Sequence, residues 1–543
     1  MTLLKKVLTS LFIASLLIFA CSSDLDVPPP PVASNVREMK INLNQELQTM
    51  EGFGASDAWR TQFVGKNWPL EKRNGIADLL FSKELDASGN PKGIGLSMWR
   101  FYLGAGSMEQ GSNSNIYKEW RRAECFQKPD GTYDWTKQAG QRWFLQAAKS
   151  RGVEKFLAFT VSPPVQMTLN GKAYSPQKVN MNIKPGLIPD YADFLVECID
   201  NLQRNEGVTF DYLSPINEPQ WDWLAGNNGL ASQEGTPATN QEMYELTKSL
   251  SDKLKAKSLN TQIVLGEAGN LNYLYENVNG EDRDDQINAF FGATETNISQ
   301  LPNVKKVITG HSYFSEWPVS DQVSYREKLN TGVKQIGNLE YWQTEYSILI
   351  QPGTAEIPGG SGSKRDLGIK TALFVARVIH NDIAVANASS WQFWTALTRA
   401  DYKDGLIYLD DGTNNGGGNN DYVKNDGVYH DSKLLWAFGN YSRFIRPGMV
   451  RVQIENQNPL LASTDIMLTA YKDVSKKKLI IVAVNYSDSA KSYKLNLDGV
   501  IKNNELIPYV TSENSNLKKG DKVLSSDFEI PARSIVTYVG EYE

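Results

Sequence analysis

The chain has 543 residues, long enough to bury a large core and to carry a small domain beside a big one. Its 62 acidic side chains outnumber 56 basic ones, for a formal charge of -6, and no stripe of Lys and Arg interleaves with aromatics, which argues against a nucleic-acid partner. Three cysteines and three histidines, without zinc spacing, leave no disulfide framework and no metal site to expect.

Residues 1–20 set Lys5 and Lys6 ahead of an apolar run, 7–20, that ends at Cys21. This is an export signal, and the run is shorter than the roughly 20 residues that span a bilayer. It resembles a bacterial lipoprotein signal, in which Cys21 is acylated and becomes the mature N-terminus. In such proteins Ser22, in place of Asp, directs the product to the outer membrane, on a face the sequence does not specify. Residues 21–38, with Pro28 to Pro31 consecutive, read as a stiff tether, so the membrane is expected to be met through the lipid alone. Cys125 and Cys198 then remain as buried thiols, with a single bridge between them as the alternative; Cys198 falls in an amphipathic helix pattern, 189–202.

Residues 39–50 alternate apolar and polar like a half-buried strand, and the segment 39–51 is assigned to a side domain. From 52 to 446, apolar strand-like runs at 50–54, 95–103, 155–161, 210–216, 262–267, 306–311, 339–345 and 388–394 alternate with helical periodicity. Eight such units predict a closed (β/α)8 barrel; an open doubly wound sheet lacks its Gly-x-Gly-x-x-Gly after the first strand. Beyond 446, short runs at 479–485, 492–497 and 534–539, parted by turn residues, predict a β-sandwich over 447–543 that incorporates the N-terminal strand. A separate carbohydrate-binding module is the alternative, but no linker precedes it.

In such a barrel the chemistry collects at the C-terminal strand ends. The fourth run leads into Ser-Pro-Ile-Asn-Glu-Pro-Gln-Trp-Asp-Trp, residues 214–223, in which Pro219 discourages helix and leaves Glu218 facing the mouth. A carboxyl beside Trp221 and Trp223 is poorly hydrated, which favours its protonated form and equips it to protonate a leaving oxygen. The seventh run ends at Glu345. Two carboxyls from separate strand ends, one protonated and one ionised, are the equipment of glycosidic cleavage.

These motifs, with Gly52-Phe53-Gly54-Ala55-Ser56-Asp57-Ala58-Trp59, Trp99-Arg100-Phe101, Ser162-Pro163-Pro164, His311-Ser312-Tyr313 and Trp342-Gln343-Thr344-Glu345, resemble family 30 of the glycoside hydrolases, in its endo-β-1,6-galactanase-like branch. The resemblance covers nearly all of the mature chain. It implies that Glu218 is the acid/base and Glu345 the nucleophile of a retaining β-glycosidase, that the substrate is β-1,6-galactan, and that a side sandwich packs on the barrel. Activity on β-1,6-glucan, xylan or glucosylceramide is the alternative within the enzymes. A non-catalytic glycan-binding lipoprotein is the alternative outside them.

The remaining expectations concern substrate and support. Trp59, Trp221, Trp223 and Trp391 are expected to line sugar subsites, and Trp99 and Trp342 to be core. Arg100 is placed to bond Glu345 and keep it ionised, Asn217 to bond the sugar 2-OH, and Asp57 to hold further hydroxyls. His311 and Tyr313 close the sixth run beside Glu345, one of them to orient the nucleophile, while Glu267, closing the fifth run, is a supporting or substrate-contacting carboxylate. Glu109 reads as a loop residue. Residues 410–421, rich in Asp, Asn and Gly, read as a loop whose spacing fails the calcium-loop pattern. No cofactor and a monomer acting on a polysaccharide or oligosaccharide are expected.

Overall fold

The computed structural model describes residues 36–543 apart from 279, 350–352 and 414–420 and the side chain of Asp421. The expected signal, Cys21 and most of the tether lie outside the described residues, as does the middle of the 410–421 loop. Within that loop Asp410 is bonded to Arg365 and His430, at 2.9 Å each.

After an N-terminal strand, β1 (Arg37–Thr49), eight parallel strands close a barrel in sequence order: β2 (Gly52–Ser56), β3 (Met98–Tyr102), β4 (Lys155–Phe159), β5 (Tyr212–Ser214), β6 (Gln262–Ala268), β7 (Val304–His311), β8 (Glu340–Glu345) and β9 (Ser390–Trp394). All eight runs read from the sequence are present, with ends that differ by a few residues: the fifth and sixth runs are extended, the first is shifted, and the others are trimmed. Strand β5 keeps three residues because Pro215 follows it. Side-chain alternation sorts the strands into two packings. Met98, Tyr102, Leu157, Phe159, Tyr212, Val264, Val307 and Trp342 fill the interior. Phe53, Trp99, Phe101, Ile263, Ile308, Tyr341 and Trp391 face the helices.

The helices begin and end where their sequences say. Thr239 and Glu242 form a reciprocal capping box ahead of Asn240–Ala256. Pro189 opens Ile188–Glu206, and Gly207, at φ 62°, closes it. That helix buries Cys198; Cys125 is also buried, and both are free thiols.

A ten-stranded sheet forms the side domain. β1 runs antiparallel to Val450–Ile454 and parallel to Lys491–Leu497, which joins the two ends of the chain. The sheet folds into two layers, since Phe528 packs 4.9 Å from Tyr538 although their strands lie toward opposite ends of the strand order. Leu479–Val484 is apolar throughout because both faces are covered: Leu479, Ile481 and Ala483 enter the domain's own core, while Ile480, Val482 and Val484 join the barrel's. A small sheet not foreseen from the sequence, Leu397–Thr398, Ile407–Asp410 and Val428–Asp431, follows β9. Its entry loop builds one wall of the site.

Candidate active site

A cavity of about 970 Å³ opens at the C-terminal ends of the strands and is lined by both Glu218 and Glu345. Glu218 sits in a left-handed backbone conformation, φ 47°, pinned by its N–H donating to the carbonyl of Glu267 at 2.9 Å. Register shifts along β6–β7 and between Gly310 and His311 turn the ends of these strands out of the regular ladder. Irregularities of this kind re-aim side chains, and here Glu267 and His311 both face the acids.

The floor is one charged network. Arg100, fully buried, donates through Nη1 to Glu345 Oε2 at 3.3 Å and to the Thr344 carbonyl at 2.7 Å, and through Nη2 to Glu267 Oε2 at 3.0 Å. Its guanidinium lies 4.3 Å from the Phe159 ring centre. His311 bridges Glu218 Oε1 from Nδ1 and Glu267 Oε2 from Nε2, both at 3.0 Å. Tyr313 Oη donates to Glu345 Oε1 at 3.0 Å. One oxygen of Glu218, one of Glu345 and a nitrogen of His311 lie within 4.8 Å of one another. These three could present ligand atoms to a metal, but both His311 nitrogens are already engaged with carboxylates.

Protonation follows from these contacts. Burial disfavours a charged His311, yet Glu345, Glu218 and Glu267 outweigh it and lift its pKa to about 10, so the ring is an imidazolium donating to both carboxyls at neutral pH. Burial would raise Glu267, but Arg100 and His311 hold it below the ordinary value. Glu345 goes the other way: burial pushes it up, Glu218 adds to the rise, and His311 and Arg100 oppose it. Arg100 bonds Glu345 as expected and pulls its pKa down, against a rise that burial dominates.

Of the other expected residues, Trp59, Asn217, Trp223 and Tyr313 line the cavity. Asn217 Oδ1 is buried there without a partner. The Trp223 indole donates to the Glu218 carbonyl at 3.1 Å and lies against Gly235, where a Cβ would come within 2.4 Å of the ring. Three expectations, on Trp391, Trp221 and Asp57, are corrected. Trp391 is fully buried on the helix side of β9 and donates to Asp382 at 2.8 Å, whereas Trp394, three residues on and facing the opposite side, lines the cavity. Trp221 lies beside the cavity, packed edge-on against Tyr273 and Phe314. Asp57 is fully buried beneath the wall, its Oδ1 accepting the N–H groups of Trp59 and Arg60 at 2.8 and 2.9 Å. Of His311 and Tyr313, one of which was expected to orient the nucleophile, Tyr313 bonds Glu345 and His311 meets the carboxyl of Glu218. Glu267 supports from behind without lining the cavity, and Glu109, in the short helix Ser107–Gln110, pairs with Lys137.

Sequence reasoning passed over Glu234, Arg121, Asp404 and Trp394. Glu234, buried at the cavity wall, accepts the N–H groups of Ala105 and Ser107 at 3.0 and 3.1 Å and the Tyr102 hydroxyl, tying down the loop after β3. It, Arg121 and Asp404 come from irregular segments with no periodicity to mark them; for Trp394 the parity of β9 was the usable signal.

Comparison with known proteins agrees with this geometry. An endo-β-1,6-galactanase of Hypocrea rufa is 22% identical over 465 residues, 83% of this chain and 81% of that protein. Glucuronoxylanase XynC of Bacillus subtilis is 22% identical over 530 residues, 93% of this chain and 92% of that one. The crystal structure of a conserved exported protein from Bacteroides fragilis superposes with a TM-score of 0.86 at 35% identity, covering 93% of this chain and all of that one. The model of O-glycosyl hydrolase family 30 matches residues 36–408, and with a closed barrel carrying two glutamates at one cavity, the chain belongs to that family and is a glycoside hydrolase.

Proposed function

We propose that the protein is a retaining endo-β-1,6-galactanase. The observation that carries the mechanism is the approach of the Glu218 and Glu345 carboxyls to within 4.8 Å across one cavity. Double displacement uses a separation of about 5–5.5 Å, whereas inversion needs roughly 6.5–9.5 Å to admit a water. Glu345, held by Tyr313 and Arg100, attacks the anomeric carbon while Glu218 gives its proton to the leaving oxygen. Glu218, now ionised, takes a proton from water, which displaces the sugar from Glu345. His311 stabilises the charge that grows on Glu218 in the first step by a hydrogen bond that is already formed.

The choice of a β-linked polysaccharide, and of β-1,6-galactan among them, is supported by the Hypocrea relative and by the 214–223 motif. Linkage-defined oligosaccharides test it. β-1,6-Galactooligosaccharides are expected to be shortened to internal fragments at a higher kcat/KM than β-1,6-glucan or xylan oligomers, and faster cleavage of either of those overturns the choice. The reading extends to an exported, outer-membrane lipoprotein, supported by the residues ending at Cys21. Incorporation of labelled palmitate that Cys21→Ser abolishes is the expected result, and a protein that stays unlabelled counts against it.

A further inference from the structure

The wall of the cavity remote from Glu218 carries polar groups that the mechanism leaves unused. Trp59 and Trp394 meet edge to face, centres 5.1 Å apart, and present one aromatic corner to the cavity. The Arg121 guanidinium lies 3.9 Å from the Trp59 ring centre, a stacking that fixes its plane. It donates from Nη1 to Gln233 Oε1 at 2.9 Å, and among the described residues no carboxylate lies within 4.0 Å of it and no protein acceptor meets its other N–H groups. Asp404 lines the same wall. Its Oδ1 is buried with no hydrogen-bond partner, and its Oδ2 stands 3.6 Å from Arg60 Nη2, too far for a hydrogen bond. Beneath it Arg60 is held in turn by Asp57, whose Oδ1 is 3.9 Å away.

A half-buried guanidinium and carboxylate within reach of each other's field normally close into an ion pair. Here Asp404 raises, and Arg60 and burial lower, the pKa of Arg121, which falls to about 10. The two groups influence one another but do not meet. Both line the cavity, together with Trp59 and Trp394. Neighbouring hydroxyls on a sugar ring offer what both lack: hydrogens for the carboxylate, lone pairs for the guanidinium and C–H faces for the indoles.

We infer that Asp404 and Arg121 form a donor–acceptor clamp that grips adjacent ring hydroxyls of a neutral sugar resting against Trp59 and Trp394, making Asp404 a specificity-determining residue. Asp57 and Arg60 are positioning residues that aim Asp404 from below. The clamp rests on the hydrolase reading of the site but not on the choice of galactan.

The test is a cycle between protein and substrate. Wild type is first offered aryl β-glycosides of β-linked galacto-, gluco- and xylo-disaccharides, and the best becomes the parent; its identity reports on the galactan reading alone. The parent and analogues deoxygenated at single ring hydroxyls, C2 excepted, are then compared in wild type, Asp404→Ala, Asp404→Asn and Arg121→Gln, each checked for a wild-type melting temperature. Asp404→Ala is expected to lower kcat/KM on the parent about 10- to 100-fold, the worth of a hydrogen bond to a charged group. One deoxy analogue should cost wild type a similar factor and cost the variant less than about 3-fold more. Equal deoxygenation penalties in wild type and variant, or an Asp404→Ala enzyme as active as wild type, overturn the clamp. If the alanine variant does not fold, the same cycle on Asp404→Asn and Arg121→Gln decides.

Discussion

The floor and the far wall of the cavity are built on opposite plans. On the floor Arg100, Glu267, His311, Glu218, Glu345 and Tyr313 are joined in one chain of hydrogen bonds of 3.3 Å or less, although Arg100 Nε and Glu267 Oε1 are left without a partner. On the wall Asp404 and Arg121 stand near each other unjoined. The difference separates two tasks. Reaction demands charges that need not reorganise as the transition state forms, so the protein joins the charged groups to one another in advance. Recognition demands groups with open valences, so their partners are left to the substrate.

The comparison breaks most readily at Glu345. Glu345→Gln is expected to lower kcat at least about 10⁴-fold while oligosaccharide binding, measured by calorimetry, persists; turnover near wild type would remove Glu345 from the nucleophile's role. Next comes Arg100. Because Arg100→Met leaves Glu267 charged and buried, it should lose about 3–5 kcal/mol in urea unfolding, where substitutions on the open wall lose little.

His311 sharpens the comparison through pH. Its raised pKa means that its stabilising contribution is complete below about pH 6.5 and is lost as pH climbs toward 10. Unfolding free energy should therefore decline over that interval in wild type, and His311→Gln should remove that part of the decline. The same change removes a charge that opposes the rise of Glu345, so the acid limb of the kcat/KM profile should move to higher pH. An acid limb unchanged or moved to lower pH would detach His311 from the nucleophile's ionisation. The smallest effects distinguish the tryptophans. Trp394→Ala should raise KM about 5- to 10-fold through lost stacking. Trp391→Phe, which deletes the bond to Asp382 and part of the buried ring, should lower the melting temperature and leave KM within about 2-fold.

The floor was readable in the sequence because its residues lie on apolar strands: Arg100 in β3, Glu267 near the end of β6, and His311 and Glu345 at the ends of β7 and β8. Glu218, four residues past its strand, was readable from Asn217-Glu218-Pro219. What the sequence withheld was facing and distance. Trp391 and Trp394 differ by an odd number of residues and so point to opposite faces, but only packing shows that Phe438 covers the first and Trp59 meets the second. Asp57 looks free in the sequence, yet the helix Arg60–Asn67 starts on it and takes up its oxygen. The wall was illegible for a different reason. Arg121 and Asp404 are nearly 300 residues apart in segments without regular periodicity, and only closure of β2 against β9 brings their loops together.

The configuration of the first sugar released tests the central claim most directly. Followed by proton NMR from the start of hydrolysis, the β-anomer should accumulate first and mutarotate afterwards, as two displacements at one carbon require. Initial release of the α-anomer would mean a single displacement by water and would contradict the assignment of Glu345 as nucleophile.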